Sequence, residues 1–194
     1  IRERESQWRD SVITSLITPS IERDILMMTR IDKPALLRQA FELMVARTDE
    51  LARLIVSEMG KPLAEARGEV AYAAEFLRWF SEEAVRTNGD YAVAPSGANR
   101  MLVSHEPIGI ALLITPWNFP AAMATRKLGP ALAAGCTVVA KPSLNSAASG
   151  TLLAQVLHEA ELPPGVFNLI NGTGRIVRII RAEHPQVIIT YGDD

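Results

Sequence analysis

The chain has 194 residues, 48% of them hydrophobic and 22% charged, with a formal net charge of −2. That is the make-up of an ordinary globular protein, one domain or one domain with part of a second. It excludes the basic face that nucleic-acid binding requires, an internal disulfide, because Cys136 is the only cysteine, and a helical membrane span, because no apolar run approaches ~18 residues.

The N-terminus opens on Ile1 rather than Met and runs through charged residues without a signal-peptide pattern. A cytoplasmic, reducing setting is the expectation, and so is a first residue that is not the native start. Residues 1–34 mix apolar and charged side chains without a long period, although Pro34 suits a first helical turn, where its missing N–H costs nothing. Across 35–59 the apolar positions Leu36, Leu37, Ala40, Phe41, Met44, Leu51, Leu54 and Ile55 follow helical spacing. Thr48 followed by Leu51 forms no capping box, so one helix and two remain open. Gly60-Lys61-Pro62 reads as a helix stop. A further helix is predicted over 64–86, with Val70, Ala73, Ala74, Leu77, Phe80 and Ala84 on one face.

The turn signals Asn88-Gly89 and Pro95-Ser96-Gly97 flank short strand-like pieces and predict a β-hairpin within 88–106. From residue 108 strands and helices alternate: strand 108–114, helix 121–134, strand 137–140, helix 147–161, strand 166–170, helix 175–182 and strand 187–190. Apolar runs without period-two alternation suit strands covered on both faces. The fold class is therefore α/β: N-terminal helices and a β-hairpin, then a doubly wound, Rossmann-like parallel sheet that is incomplete. The expected division puts the helical segment and hairpin in residues 1–107 and the sheet in 108–194.

Ligands of such sheets bind at the carboxyl ends of the strands, and three groups of residues stand there. The first is Ile114-Thr115-Pro116-Trp117-Asn118-Phe119-Pro120, a turn stiffened by two prolines. Asn118 is either a turn residue or a side-chain amide that stabilises an oxyanion; Ile114 and Trp117 are either core or ligand-facing. The second is Lys141-Pro142-Ser143-Leu144, in which a lysine ends an apolar strand, either snorkelling at the sheet edge or holding a ligand. The third is Gly172-Thr173-Gly174, a strand-to-helix turn matching only two Rossmann glycines. Arg126 lies in the first turns of a helix, the end that cations usually avoid. Cys136 has no neighbouring base or cation in sequence to activate it and reads as a buried structural thiol.

The Pro-Trp-Asn-Phe-Pro and Lys-Pro-Ser motifs, with Glu58-Met59-Gly60-Lys61-Pro62-Leu63, Trp79-Phe80-Ser81-Glu82-Glu83-Ala84 and Thr125-Arg126-Lys127, resemble the aldehyde dehydrogenase family, most closely its succinate-semialdehyde branch. The resemblance covers 35–174. It implies that 108–194 binds NAD or NADP, that Asn118 is the oxyanion donor, and that Arg126 holds a substrate carboxylate through bidentate geometry. It implies cofactor contacts from Ile114, Thr115, Pro116, Trp117, Lys141, Ser143, Leu144 and Gly174, the lysine on the adenosine ribose. It also implies a small-molecule aldehyde substrate, no metal, and a homo-oligomer assembled through the hairpin. In the family a thiolate attacks the aldehyde, a hydride passes to the nicotinamide, and water releases the acid.

Two positions depart from the pattern. Leu144 stands where a carboxylate or a small hydroxyl residue tunes cofactor choice, and Arg178 stands where a small residue is usual. The family's cysteine nucleophile and glutamate base belong to motifs beyond Asp194, so the catalytic domain is expected to be absent and the isolated chain is expected not to oxidise aldehydes. The alternative expectation is a catalytically dead remnant or truncated fragment that serves only as an assembly module, pairing through an exposed sheet edge.

Overall fold

The computed structural model describes residues 31–183 and 188–190; the readings made for 1–30, 184–187 and 191–194 lie outside the described residues. The helical stretch over 35–59 is two helices, α1 (Lys33–Ala46) and α2 (Thr48–Met59). Asp32 caps α1 by accepting the Ala35 amide at 3.1 Å, and Pro34 occupies the first turn. The break falls at Arg47, whose guanidinium binds Glu50 at 2.7 Å and Glu159 at 2.8 Å. α2 stops at Gly60, which takes the left-handed φ of 74° that terminates helices. α3 (Leu63–Glu83) buries Ala66, Val70, Ala73, Ala74 and Leu77, spaced at three and four residues. It ends before the predicted residue 86.

The hairpin pairs β1 (Asp90–Val93) with β2 (Arg100–Val103), Asp90 opposite Val103 and Val93 opposite Arg100, and every strand residue is exposed. The second sheet is parallel and comprises β3 (Ile110–Ile114), β4 (Thr137–Lys141), β5 (Phe167–Leu169) and β6 (Ile188–Thr190), in the order β5-β4-β3-β6. α4 (Ala122–Ala133) and α5 (Ala147–Glu159) connect β3 to β4 and β4 to β5, and α6 (Arg175–Glu183) precedes β6. α5 is two residues shorter than its pattern because Glu161 turns to a φ of 58°.

Alternate residues of β3 enter two separate cores, as strand geometry dictates. Ala111 and Leu113 join the cluster built by α1 to α5, whereas Ile110 and Leu112 pack with Ile176, Val177 and Ile180 of α6. The expected α/β, doubly wound sheet is therefore what forms, with helices on both faces. The chain winds outward through β3, β4 and β5 and then returns to the other flank of β3. That reversal leaves a switch point between β3 and β6, where ligands of open α/β sheets bind at the carboxyl edge.

Candidate functional site

That edge is defined by Ile114 and Lys141, which lie side by side in the register of β3 and β4. The Thr115 amide extends the ladder by donating to the Lys141 carbonyl at 3.3 Å. Beyond it the chain leaves the sheet in the turn that carries the Trp-Asn-Phe motif. Lys127, one turn into α4, donates to the Ile114 carbonyl at 2.8 Å and so ties the strand end to the helix that follows. Trp117, Asn118 and Phe119 are all exposed, so the reading of Trp117 as core does not hold: 49% of its surface is open. Ile114 is half-buried against the α6-side core. The side-chain amide of Asn118 finds no partner among the described residues. Its backbone carbonyl does: Lys61 Nζ donates to it at 3.1 Å.

Lys61 is itself buried and paired with buried Glu69 at 2.5 Å. The other carboxylate oxygen of Glu69 accepts the amides of Ala121 and Ala122, at 2.9 and 3.4 Å, where the chain enters α4. The Lys61 ammonium also lies 3.8 Å from the centre of the Phe119 ring. In the sequence Lys61 reads as part of a helix stop and of a family motif, with no site role, and Glu69 is not singled out. The available signal was the charged residue between Gly60 and Pro62, together with Glu69 beside Val70 on the buried stripe of α3.

Lys141 is buried, with 8% of its surface open, which rules out snorkelling. Its ammonium donates to the Pro142 carbonyl at 3.1 Å; an ammonium has three donors, and no other partner is found among the described residues. Burial holds its pKa below the ordinary lysine value. Ser143 caps the following 3-10 turn, Leu144–Ser146, by accepting the Asn145 amide at 3.3 Å. Leu144 projects outward with 56% of its surface open. The first amides of α5 are taken by a neighbour: Glu58 accepts from Ala148 at 2.7 Å and Ser149 at 2.8 Å.

At the entry to α6, nothing stands within 4 Å of where a Gly174 Cβ would lie, whereas at Gly172 the same atom would run into the Ile176 side chain. A side chain at position 172 would therefore displace Ile176, whereas Gly174 leaves open space at the strand-to-helix turn. Arg178 is exposed on α6. Arg126 is exposed on α4, with its guanidinium 3.6 Å from the Met123 sulfur and no carboxylate partner among the described residues. Cys136 is buried in the main core beside Thr137, at the opposite end of β4 from Lys141.

The sequence model of the aldehyde dehydrogenase family matches residues 23–192. Among curated relatives, the succinate-semialdehyde dehydrogenase of Paenarthrobacter nicotinovorans is 59% identical over 138 residues, which cover 71% of this chain and 31% of that protein. The glutarate-semialdehyde dehydrogenase of Pseudomonas putida is 51% identical over 146 residues, 75% of this chain and 30% of the relative. Among solved structures, an NADP-dependent enzyme of E. coli superposes with a TM-score of 0.86 at 40% identity, covering 96% of this chain and 38% of that one. The chain spans about a third of the length of the curated relatives it matches. With the family match running over nearly all of its length, the chain belongs to the aldehyde dehydrogenase family.

Proposed function

We propose that this chain is the N-terminal, cofactor-binding part of an NAD(P)-dependent aldehyde dehydrogenase that oxidises an aldehyde to the carboxylic acid, with succinate semialdehyde as the first candidate substrate. The observation that carries the reading is the exposed Asn118 side-chain amide, unpartnered among the described residues and set just past the carboxyl end of the strand whose Ile114 pairs with Lys141. An amide donor held on a stiff turn has little reorganisation left to do when negative charge develops on a carbonyl oxygen.

The residues present fit a dinucleotide. Lys141 keeps ammonium donors in reserve at the carboxyl edge of the sheet, and suits the ribose hydroxyls. Gly174 leaves room for a ligand to approach the backbone before α6. Thr115, Pro116, Trp117 and Ile114 border the same edge on the nicotinamide side, and Ser143 shapes the turn that presents Leu144. The nicotinamide, when bound, supplies the hydride acceptor. Asn118 would hold the substrate oxygen, and exposed Arg126 would receive a carboxylate at the far end of the substrate. The two relatives named for semialdehydes of dicarboxylic acids fit that assignment.

Leu144 lacks the carboxylate that would bind ribose hydroxyls, so NADP is tolerated beside NAD. In this reading residues 108–194 are the nucleotide-binding unit, residues 1–107 form the helical segment, and the hairpin serves homo-oligomer assembly. On the same reading the described residues of this edge supply the cofactor platform and the oxyanion amide, not the nucleophile or the general base, and aldehyde turnover is not expected from them. The test is nucleotide-dependent stability: a ligand at 100 times its Kd raises the unfolding free energy by about 2.7 kcal/mol, and a Tm that ignores NAD⁺ and NADP⁺ contradicts the proposal.

A second reading, an assembly module without cofactor function, is favoured by the hairpin. Its Tyr91, Leu102 and Val103 are exposed, a surface suited to covering by another chain. Self-association that nucleotide leaves unchanged, with no nucleotide binding, supports that reading over the first.

A further inference from the structure

The Asn118 turn is joined to α3 by polar groups rather than by apolar packing alone, and those groups lie outside the motif. Lys61 follows the glycine that ends α2, and Glu69 sits two turns into α3. Their side chains are buried, 8% and 1% exposed. A buried ion pair is weak evidence for stability, because desolvation offsets most of the attraction. Its position is more informative than its strength. Each partner also binds the backbone of one segment: Lys61 the Asn118 carbonyl at 3.1 Å, and Glu69 the Ala121 amide at 2.9 Å and the Ala122 amide at 3.4 Å. The Phe119 ring between them packs on the same ammonium.

We infer that Lys61 and Glu69 are positioning residues for Asn118: they fix the backbone on both sides of Phe119-Pro120 and thereby aim the Asn118 side-chain amide without touching it. The inference rests on the proposed oxyanion role for its functional meaning, but the geometry it asserts is independent of that role. A lysine bonded to the Asn118 carbonyl leaves the side-chain amide free for a ligand. A single ammonium can do this only if a carboxylate compensates its burial, and Glu69 does so while closing the open amides at the head of α4. Gln in place of Glu69 puts an NH2 donor where one carboxylate oxygen stood, facing either the Lys61 ammonium or the Ala121 amide, so one of those contacts is lost.

The test is amide hydrogen exchange and NMR on the isotopically labelled chain. In the unmodified chain the Ala121 amide, which precedes α4, is protected from exchange. In Lys61→Met and in Glu69→Gln, the Ala121 and Ala122 amides exchange at least tenfold faster. The Asn118 side-chain amide and the Trp117–Phe119 backbone signals shift or broaden, while the amides of β3 and β4 keep their relative protection. Three results overturn the inference: an unprotected Ala121 amide in the unmodified chain, an unchanged turn in a folded variant, or a uniform loss of protection across the chain, which is the mark of a merely structural pair. The unmodified-chain measurement stands even if neither variant folds. The proposed function fails separately: if nucleotide does not bind while the turn responds as described, the pair positions Asn118 in a site without that chemistry.

Discussion

Oε2 of Glu58 accepts both the amide and the hydroxyl of Ser149, at 2.8 and 2.5 Å, so the last turn of α2 caps the first turn of α5 from across the interface. A carboxylate at a helix N-terminus satisfies donors that the helix itself leaves open and meets the positive end of its dipole. This contact holds the start of α5, which follows Lys141-Pro142-Ser143 and the Leu144–Ser146 turn. Glu58→Ala is expected to cost about 0.5–2 kcal/mol, the range for losing a cap; urea unfolding checks it, and a loss below about 0.3 kcal/mol would mean that water replaces the contact.

At Gly129, α4 lies tightly against α3. A Cβ there would stand 2.9 Å from the Phe80 ring and 3.2 Å from the Phe76 carbonyl. Alanine would gain up to about 1 kcal/mol in helix propensity, against about 1–3 kcal/mol for overpacking. Gly129→Ala is therefore expected to lower stability by about 1 kcal/mol in urea unfolding. A stabilised variant would show that the two helices can separate freely.

Lys141 carries a pH signature. Burial lowers its pKa below 10.5, so between the folded value and 10.5 the unfolded chain holds more protons than the folded one, and stability attributable to this group rises with pH. The benefit is fully present above 10.5 and is lost as pH falls through the folded value. Lys141→Met removes the group, so the variant gains most relative to the parent at neutral pH and the gap closes toward pH 10.5. Urea unfolding of both at several alkaline pH values measures the gap, and one that widens with pH would contradict the burial of the ammonium.

How far these features could be read in advance depended on the kind of signal each left. The Gly60 stop was legible because a left-handed φ favours glycine, and the sheet was legible because its strands are apolar on both sides. The end of α5 was not, because the left-handed residue there is Glu161, which carries no glycine signal. At the site, the edge residues Asn118 and Lys141 were visible as polar groups closing apolar strands. Lys61 and Glu69 were not, since a lysine and a glutamate eight residues apart read as solvated charges until the fold buries them together. Glu58 was hidden for the same reason: the amides it binds lie about ninety residues away.

On the proposed cofactor reading, Leu144 is a handle on cofactor choice. It is exposed, three residues after the buried lysine, so a longer polar side chain can be accommodated there. Leu144→Glu is expected to favour NAD⁺ over NADP⁺ by about tenfold, or about 1.4 kcal/mol, because a carboxylate accepts from ribose hydroxyls and repels a 2′-phosphate. Paired titrations check it; an unchanged ratio would place the adenosine ribose elsewhere.

The central claim is that the edge formed by β3, β4 and the Asn118 turn is a working dinucleotide platform. The most direct test is a calorimetric titration of the chain with NAD⁺ and NADP⁺, beside Lys141→Ala shown by circular dichroism to be folded. Saturable binding of at least one nucleotide is expected, weakened tenfold or more by the substitution. Absence of binding by the folded parent chain, or binding that Lys141→Ala leaves untouched, would contradict it.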